Sequence, residues 1–239
     1  MRLDKLLAHC GFGTRKDVKQ IIKKGHVHVD DKAVRSSNMK VNVNEQVVTV
    51  FGDVIHYQEY IYLMLHKPAG YITATEDMMH DTVMDFIPEA YLHYDISPVG
   101  RLDKDTEGLL LLTNDGQANH VLTSPKRAVP KTYYALIDGT PTENHITVFK
   151  NGVVLDDGYK TDAADLHIIR AADRSEILLT ITEGKFHQVK RMFQAIGMEV
   201  TYLKRLTMGE LVLDDDLSLG DVRELRAEEI NSINELKGN

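Results

Sequence analysis

The chain has 239 residues, 43% of them hydrophobic, which is enough for one large domain and one small domain with full cores. A single cysteine, Cys10, excludes an internal disulfide framework and any zinc site built from several cysteines. The longest aliphatic run, at 109–112, is too short to span a bilayer, and residues 1–5 lead into an amphipathic segment that is unlike a signal peptide. We therefore expect a cytoplasmic protein that does not enter a membrane.

The net charge of −8 is unevenly distributed along the chain. Residues 1–40 contain ten basic and four acidic residues, a net of +6, which leaves −14 for the remainder. A basic head on an acidic body indicates that the head meets a polyanion. Chance clustering of charge is the alternative.

The basic head has the pattern of a small helical fold followed by a hairpin. Its leucines at 3, 6 and 7 have the spacing of an amphipathic helix, and glycines at 11 and 13 end it. Thr14 with Asp17 predicts an N-cap for a second helix, which Gly25 stops. Val27 and Val29 then alternate with histidines before an Asp-Asp turn, so a hairpin is expected.

The second helix carries three cations, Arg15, Lys19 and Lys23, at i, i+4 and i+8, so they share one face. Such a face is either an ordinary solvated surface or a binding site for phosphates, and the charge asymmetry favours phosphates. Residues 1–48 resemble the S4 RNA-binding domain in the segments at 2–7, 14–16 and 25–29. That resemblance predicts an RNA contact by five residues: Arg2, Arg15, Lys16, Lys19 and Lys23.

After a polar linker expected at 49–58, residues 59–239 have the pattern of a second domain. Strands are predicted at 61–65, 109–113, 132–137, 177–182, 199–205 and 210–213. Helices are predicted at 117–123, 144–151 and 187–196. Mixed strands with a few helices indicate an α+β domain with a mainly antiparallel sheet and flanking helices.

Three stretches of this body differ from ordinary core. Lys-Pro-Ala-Gly-Tyr at 67–71 is a turn after a buried strand, and alone it is consistent with any tight turn. Gly-Arg-Leu-Asp-Lys-Asp-Thr-Glu-Gly at 100–108 places a cluster of charges beside four leucines, which indicate a strand buried on both faces and closed by an Asn-Asp-Gly turn. Glu183 to Phe193 reads as a strand end, a glycine turn and a helix with Lys190 and Arg191 in its first turn, a position that favours anions.

Together these stretches resemble the pseudouridine synthase family, in the RsuA-like branch that joins an S4 domain to the catalytic domain. Gly-Arg-Leu-Asp followed by Thr-x-Gly-Leu-Leu-Leu-Leu-Thr-Asn-Asp-Gly carries the resemblance, and the Lys-Pro-x-Gly, Lys-Thr-Tyr (131–133) and Gly-Lys-Phe-His-Gln-Val-Lys-Arg-Met-Phe segments follow the same order. The resemblance implies isomerisation of uridine to pseudouridine in structured RNA. Because no atoms are gained or lost, neither a cofactor nor a metal is expected.

The resemblance also implies roles for individual residues. Asp103 is the central carboxylate, as a nucleophile at C1′ or as a base at C2′, a choice the sequence leaves open. Lys190 is expected to pair with Asp103, with Arg191 as the second choice, and Tyr133 to pack on the target uracil. Arg101 either braces the space left by the flipped base or forms a structural salt bridge. The remaining residues assigned to the RNA-binding set are Lys67, His187, Gln188 and Arg191, with His187 and Gln188 orienting their loop.

The expected partner is small-subunit 16S rRNA, with a target of the uridine 516 class, and the protein is expected to be a monomer. Three alternatives remain: a large-subunit 23S rRNA synthase, a non-catalytic S4 protein in ribosome assembly, and a glycosidic hydrolase. The hydrolase needs two carboxylates, for which Asp105 and Glu107 are nearby. If the segment is extended, however, Asp103 and Asp105 point to opposite faces.

Overall fold

The computed structural model describes residues 1–238, which cluster into two units. Unit 1 comprises Met1–Ile61 together with Glu89–Asp95, and unit 2 comprises Tyr62–Pro88 and the residues from Ile96 onward. The short segment Glu89–Asp95 therefore belongs to unit 1, although unit 2 precedes and follows it along the chain.

The two helices of unit 1 form as the sequence predicts, α1 over Leu3–His9 and α2 over Arg15–Lys23. Thr14 is the N-cap of α2: its hydroxyl oxygen accepts a hydrogen bond from the N–H of Asp17, and its own N–H donates to the Asp17 carboxylate in a capping box. This cap satisfies backbone N–H groups that the first turn of a helix leaves free. The leucines of α1 pack with Val18 and Ile22 of α2 into the core of the unit.

Unit 1 also contains a four-stranded antiparallel sheet in the order β2-β1-β3-β4. Its strands are β1 (Val27–Val29), β2 (Lys32–Ala33), β3 (Val48–Val50) and β4 (Asp53–Val54). Asp30 and Asp31 both adopt positive φ, at 49° and 63°, which gives the tight hairpin turn predicted between β1 and β2. Strands β3 and β4 lie in the stretch predicted as linker at 49–58, so unit 1 extends past residue 48. Both strands are short, and although Val48 and Val50 of β3 are buried in the core of the unit, β4 has no buried side chain.

Unit 2 is built on a nine-stranded sheet with four α-helices. The strands are β5 (Tyr62–Lys67), β6 (Ser97–Pro98), β7 (Glu107–Thr113), β8 (Lys131–Asp138), β9 (Asp165–Arg170), β10 (Arg174–Ile181), β11 (Glu199–Met208), β12 (Leu211–Val212) and β13 (Val222–Glu224). The helices are α3 (Gly116–Thr123), α4 (Glu143–Lys150), α5 (Gln188–Ala195) and α6 (Ala227–Gly238), and short 3₁₀ turns cover Val83–Phe86 and Pro125–Arg127. A third 3₁₀ turn, Glu89–Tyr91, lies in the segment that belongs to unit 1. Among residues 1–238, no helix has both the length and the apolar character needed to cross a membrane.

The sheet of unit 2 has the order β13-β5-β7-β11-β8-β10-β9, and β6 and β12 pair with β7 and β11 respectively. Every pair is antiparallel except β7 with β11, which confirms the mainly antiparallel α+β prediction. The leucines at 109–112 are buried, as predicted for a strand covered on both faces. Gly108 permits the close β7–β11 pairing, because a Cβ there would lie 2.2 Å from the carbonyl oxygen of Arg205, and its φ is +106°.

Two features of unit 2 differ from the prediction. Asp115 does not sit in a tight turn but is the N-cap of α3, where its side chain accepts hydrogen bonds from the backbone N–H groups of Gln117 and Ala118. Strands β9 and β13 and helix α6 were not predicted. The exposed positions of β9 and the weakly amphipathic pattern of α6 gave no clear period to detect.

Candidate active site

The residues around Asp103 form a turn at the start of β7, and two side chains from the chain before it hold that turn. The N–H of Thr106 donates to the carbonyl oxygen of Asp103 at 3.1 Å, which closes the turn. The Thr73 hydroxyl donates to the carbonyl oxygen of Leu102 at 2.8 Å and accepts from the N–H of Leu102 at 3.1 Å. The backbone on both sides of Asp103 is therefore fixed before any substrate binds.

Lys67, a buried residue at the end of β5, supports the same turn from the protein interior. Its ammonium group has three N–H donors and lies within hydrogen-bond distance of four carbonyl oxygens, of Pro68 at 3.0 Å, Asp103 at 3.2 Å, Lys104 at 3.4 Å and Thr106 at 2.9 Å, so one donor is shared. The prediction that Lys67 contacts RNA is wrong, because the residue is 0% exposed and all its donors face the protein. Burial lowers the pKa of Lys67 to about 8, despite the nearby carboxylates of Asp105, Glu107 and Asp103.

Lys190, in the first turn of α5, lies between two carboxylates of this turn. Its Nζ is 3.2 Å from Oδ2 of Asp103 and 2.6 Å from Oδ1 of Asp105. Burial opposes the charge of Lys190, but the hydrogen bonds to Asp105 and Asp103 outweigh it and raise its pKa. The structure thus brings together the predicted pair of Asp103 and Lys190.

The expectation that Asp103 and Asp105 face opposite ways is wrong. That argument assumed an extended segment, whereas the chain turns here and both carboxylates reach one ammonium group. Burial alone would raise the pKa of Asp105, but the hydrogen bond from Lys190 lowers it below its usual value. Asp105 therefore stays ionised and is unsuited to be the general acid that a glycosidic hydrolase needs.

His187, the residue before α5, contacts Asp103 from another side. Its Nε2 lies 3.6 Å from Oδ1 of Asp103, so the structure supplies a partner that the sequence did not show. The backbone of His187 has a positive φ of 49°, a conformation that costs free energy in a non-glycine residue and is common at functional loops. Its ring stacks on Phe186 with centroids 3.7 Å apart, and Phe186 is 75% exposed.

Gln188 has a structural role in the same loop, and it also lines the pocket that contains Asp103. Its side chain is buried, its Nε2 donates to Oε1 of Glu183 at 2.7 Å, and its Oε1 accepts from the N–H of Lys185 at 2.8 Å. Glu183 also accepts from the Tyr159 hydroxyl at 2.6 Å. These bonds orient the loop between β10 and α5, which agrees with the orienting function expected of Gln188.

Arg191 points away from Asp103. Its guanidinium forms ion pairs with Asp156 and Asp157, the latter at 2.7 Å, and its side chain is 17% exposed. The second choice for the partner of Asp103 is therefore wrong, and the assignment of Arg191 to the RNA-binding set has no support from its placement. Adjacent positions on a helix lie about 100° apart, which explains why Lys190 and Arg191 reach different carboxylates.

A pocket of about 70 Å³ collects the predicted catalytic residues. Its lining includes Asp103, Lys190 and Tyr133, and apolar side chains of Ile181 and Leu203 lie beside Tyr133. Tyr133 lies on β8 and is buried, so only a small part of its side chain is exposed in the pocket. A carboxylate paired with an ammonium group, a flat aromatic ring and apolar walls suit a planar, uncharged base next to a reacting sugar carbon.

Arg101 is exposed and lines the same pocket, two residues before Asp103. It has no ion pair among the described residues, so the structural salt bridge considered for it is not formed there. A free guanidinium at the rim is consistent with the bracing role implied by the family resemblance.

In unit 1 the five predicted RNA-binding cations fall into two groups. Arg2 and Arg15 both bind the carboxylate of Asp4, which is fully buried, at 2.8 Å and 3.0 Å. Hydrogen bonds from Arg2 and then Arg15 hold the pKa of Asp4 below its usual value against the effect of burial. The other three, Lys16, Lys19 and Lys23, are exposed on α2 and are called the α2 lysines below.

Comparison with known proteins assigns the family. Residues 61–195 match the RNA pseudouridylate synthase family and residues 1–47 match the S4 domain. A solved structure described as a pseudouridylate synthase superposes with a TM-score of 0.68 and is 34% identical, covering 98% of this chain and 99% of its own. The chain belongs to the RNA pseudouridylate synthase family, whose members isomerise uridine in RNA, and it carries an S4 RNA-binding domain.

Three relatives align over nearly their whole length. The uncharacterised RNA pseudouridine synthase YtzG of Bacillus subtilis is 48% identical over 98% of this chain and 99% of its own. The ribosomal small subunit pseudouridine synthase A of Vibrio parahaemolyticus is 40% identical, with the same coverage of 98% and 99%. The ribosomal large subunit pseudouridine synthase B of Bacillus subtilis is 39% identical over 98% of this chain and 96% of its own.

The sequence prediction missed two residues that support the site, Thr73 and Glu183, and two that line a neighbouring cavity, Lys131 and Arg205. Thr73 has no signal in sequence, because it reaches Leu102 only through the fold. Glu183 ends a predicted strand, and its sequence position gives no sign that it accepts hydrogen bonds from Gln188 and Tyr159. Lys131 is the first residue of the Lys-Thr-Tyr segment, so attention to that motif beyond its tyrosine would have found it.

Proposed function

We propose that the protein isomerises one uridine in small-subunit 16S rRNA, of the uridine 516 class, with Asp103 as its central carboxylate. The observation that supports the catalytic assignment is the ion pair of Asp103 and Lys190 in the pocket beside Tyr133. The choice of a small-subunit target rests on the sequence Phe-His-Gln-Val-Lys-Arg at 186–191, which resembles the small-subunit type of enzyme. The 40% identity to a small-subunit enzyme is compatible with that choice.

The geometry supports a sequence of steps for the target nucleotide. Once the uridine is flipped out, at a cost of a few kcal/mol, its base packs on Tyr133 and the apolar wall, while Arg101 braces the space that it leaves. Lys190 keeps an anionic carboxylate next to the sugar. Asp103 then attacks C1′ or removes the C2′ proton, the N1–C1′ bond breaks, and the uracil turns and rejoins through C5.

Apolar surface around the freed uracil also favours recapture over hydrolysis. The freed base must stay in a pocket from which water is excluded, and Ile181 and Leu203 provide apolar surface there. Released uracil in an assay would favour the hydrolase instead. We further propose that RNA affinity comes from the α2 lysines and that the protein acts as a cytoplasmic monomer.

A large-subunit target is the second candidate, because the identity to the large-subunit relative, 39%, is almost equal. The small-subunit and large-subunit targets are distinguished by incubating the protein with 16S and 23S rRNA that carry tritium at C5 of uridine. Each rRNA is supplied both as free RNA and as a partly assembled subunit. Pseudouridine formation releases that tritium. Release from 16S substrates alone supports the proposal, and release from 23S substrates alone overturns the choice of subunit.

Asp103→Asn is the matched variant in the same assay. Asparagine has the same shape but neither attacks C1′ nor accepts the C2′ proton, so turnover should be abolished while RNA affinity stays within a few-fold of wild type. Substantial tritium release by Asp103→Asn would contradict the catalytic assignment.

A further inference from the structure

A second, larger cavity in unit 2 adjoins the pocket of Asp103. Its volume is about 430 Å³, within the range of small-ligand sites, and it shares Arg101, Tyr133, Gly184 and Lys185 with that pocket. Because Tyr133 lines both cavities, a group bound in the second cavity would lie next to the target base. Two of its wall residues, Lys131 and Arg205, have no part in the mechanism described above.

Arg205 is a buried cation without an anionic partner. The residue is 2% exposed, its Nε donates to the carbonyl oxygen of Leu109 at 2.8 Å, and its Nη2 has no hydrogen-bond partner among the described residues. No carboxylate of residues 1–238 forms an ion pair with it. A buried, unpaired charge costs several kcal/mol, so an anion supplied by a ligand would relieve a cost that the free protein carries.

Lys131 brings a second buried cation to the same wall. It is 9% exposed, and its Nζ donates to the carbonyl oxygen of Val129 at 2.8 Å. Its strand pairs with that of Arg205, with Tyr133 opposite Arg205 and Lys131 opposite Met208. Burial, and then repulsion by the charge of Arg205, lower the pKa of Lys131 to about 8.

The rest of the lining leaves this positive charge uncompensated. The four basic residues of the wall outnumber its two acidic ones, Asp162 and Glu183. Glu183 already accepts hydrogen bonds from Tyr159, Gln188 and the N–H of Asp162. Lys185, a residue common to both cavities, places its Nζ 4.7 Å from the centroid of the Tyr159 ring. The cavity therefore offers hydrogen-bond donors and net positive charge next to the reacting base.

We propose that this cavity is an anion subsite in which Arg205 and Lys131 bind a phosphodiester that flanks the target uridine. The assignment rests on the proposed function, because the flanking phosphate reaches the cavity only when the uridine occupies the neighbouring pocket. Arg205 provides planar guanidinium donors suited to phosphate oxygens, and Lys131 adds a point charge. The subsite fixes the sugar of the target nucleotide against Asp103 as the base turns.

The first test measures the subsite without RNA. Arginine Nε–Hε signals of the full chain, labelled with nitrogen-15 and assigned for Arg205 with an Arg205→Lys variant, are followed while dimethyl phosphate is added. A saturable shift that is lost in Lys131→Met supports the proposal, with Lys150→Met as the control for loss of an exposed lysine. No saturable shift, or a shift with inorganic phosphate but none with dimethyl phosphate, overturns it.

The second test neutralises single phosphates of the RNA. Methylphosphonate replaces the phosphate on either side of the target uridine, and the dissociation constant is measured for wild type and Lys131→Met. We expect about a tenfold weaker complex at one position for wild type and less than a twofold change for the variant. Equal effects in both proteins overturn the subsite. Failure of wild type to form pseudouridine in the unmodified RNA refutes the proposed target instead, and the dimethyl phosphate result stands apart from it.

Discussion

Replacing Lys67 by methionine separates a role in placing the catalytic turn from a role in stability. Three of its four bonds to carbonyl oxygens are 3.2 Å or shorter. At about 1.5 kcal/mol for each bond from a charged donor, their loss removes roughly 4–5 kcal/mol. Methionine also removes the cost of burying an ammonium group, which is several kcal/mol and is reflected in the lowered pKa of Lys67.

The two contributions nearly cancel, so the free energy of unfolding should fall by only about 1–2 kcal/mol. The effect on catalysis has no such compensation. Without Nζ the carbonyl groups of Asp103 and Thr106 lose their common donor, and a displacement of about 1 Å in a catalytic group can reduce the rate about 100-fold. We therefore expect kcat to fall at least about 100-fold while RNA affinity stays close to wild type.

The assay pairs urea unfolding with single-turnover tritium release at saturating protein. Lys150→Met, which changes an exposed lysine at the end of α4, is the matched control and should alter neither quantity. A Lys67→Met protein with kcat within about threefold of wild type would refute the reasoning, because the turn would then hold its geometry without the lysine.

Three further predictions concern packing, RNA affinity and pH. Gly108→Ala should lower the free energy of unfolding by more than about 3 kcal/mol, since its Cβ would meet the Arg205 carbonyl at a positive φ; a loss under about 1 kcal/mol by urea titration would contradict this. Changing the α2 lysines together to glutamine should reduce the slope of log Kd against log salt by about 2–3, and an unchanged slope would argue against their phosphate contacts. The catalytic rate should fall as pH rises through about 8, because Lys67 is protonated below that pH and loses a hydrogen-bond donor above it. The pKa of Lys190 is raised, so that residue keeps its charge over the same range. A rate that does not change with pH up to about 10 would contradict this prediction.

Local patterns in the sequence predicted most of the fold. The Thr14–Asp17 cap, the Asp-Asp turn and the buried leucines of β7 are each fixed by neighbours in the chain, and the structure confirms them. Strands β3 and β4 were missed because they have three and two residues, too few to show a period, although Val48 and Val50 of β3 are buried. Their pairing depends on distant residues, which single-sequence patterns do not reveal.

The candidate site shows the same division between motif and context. The motifs placed Asp103, Lys190 and Tyr133, and these three line one pocket. Lys67 was misassigned because a lysine in a motif looks the same whether it faces RNA or the protein interior, and the bonds of Gln188 within its loop could not be foreseen. Only the fold shows that the carbonyl groups of the Asp103 turn and the carboxylate of Glu183 already occupy their hydrogen bonds.

The central claim, that Asp103 of this chain makes pseudouridine in 16S rRNA, is tested most directly in cells that lack the protein. Total rRNA is mapped with carbodiimide modification and primer extension, with wild type or Asp103→Asn supplied again. The account predicts that one 16S position loses its pseudouridine and that only wild type restores it. Restoration by Asp103→Asn, or an unchanged map of 16S rRNA, would contradict it.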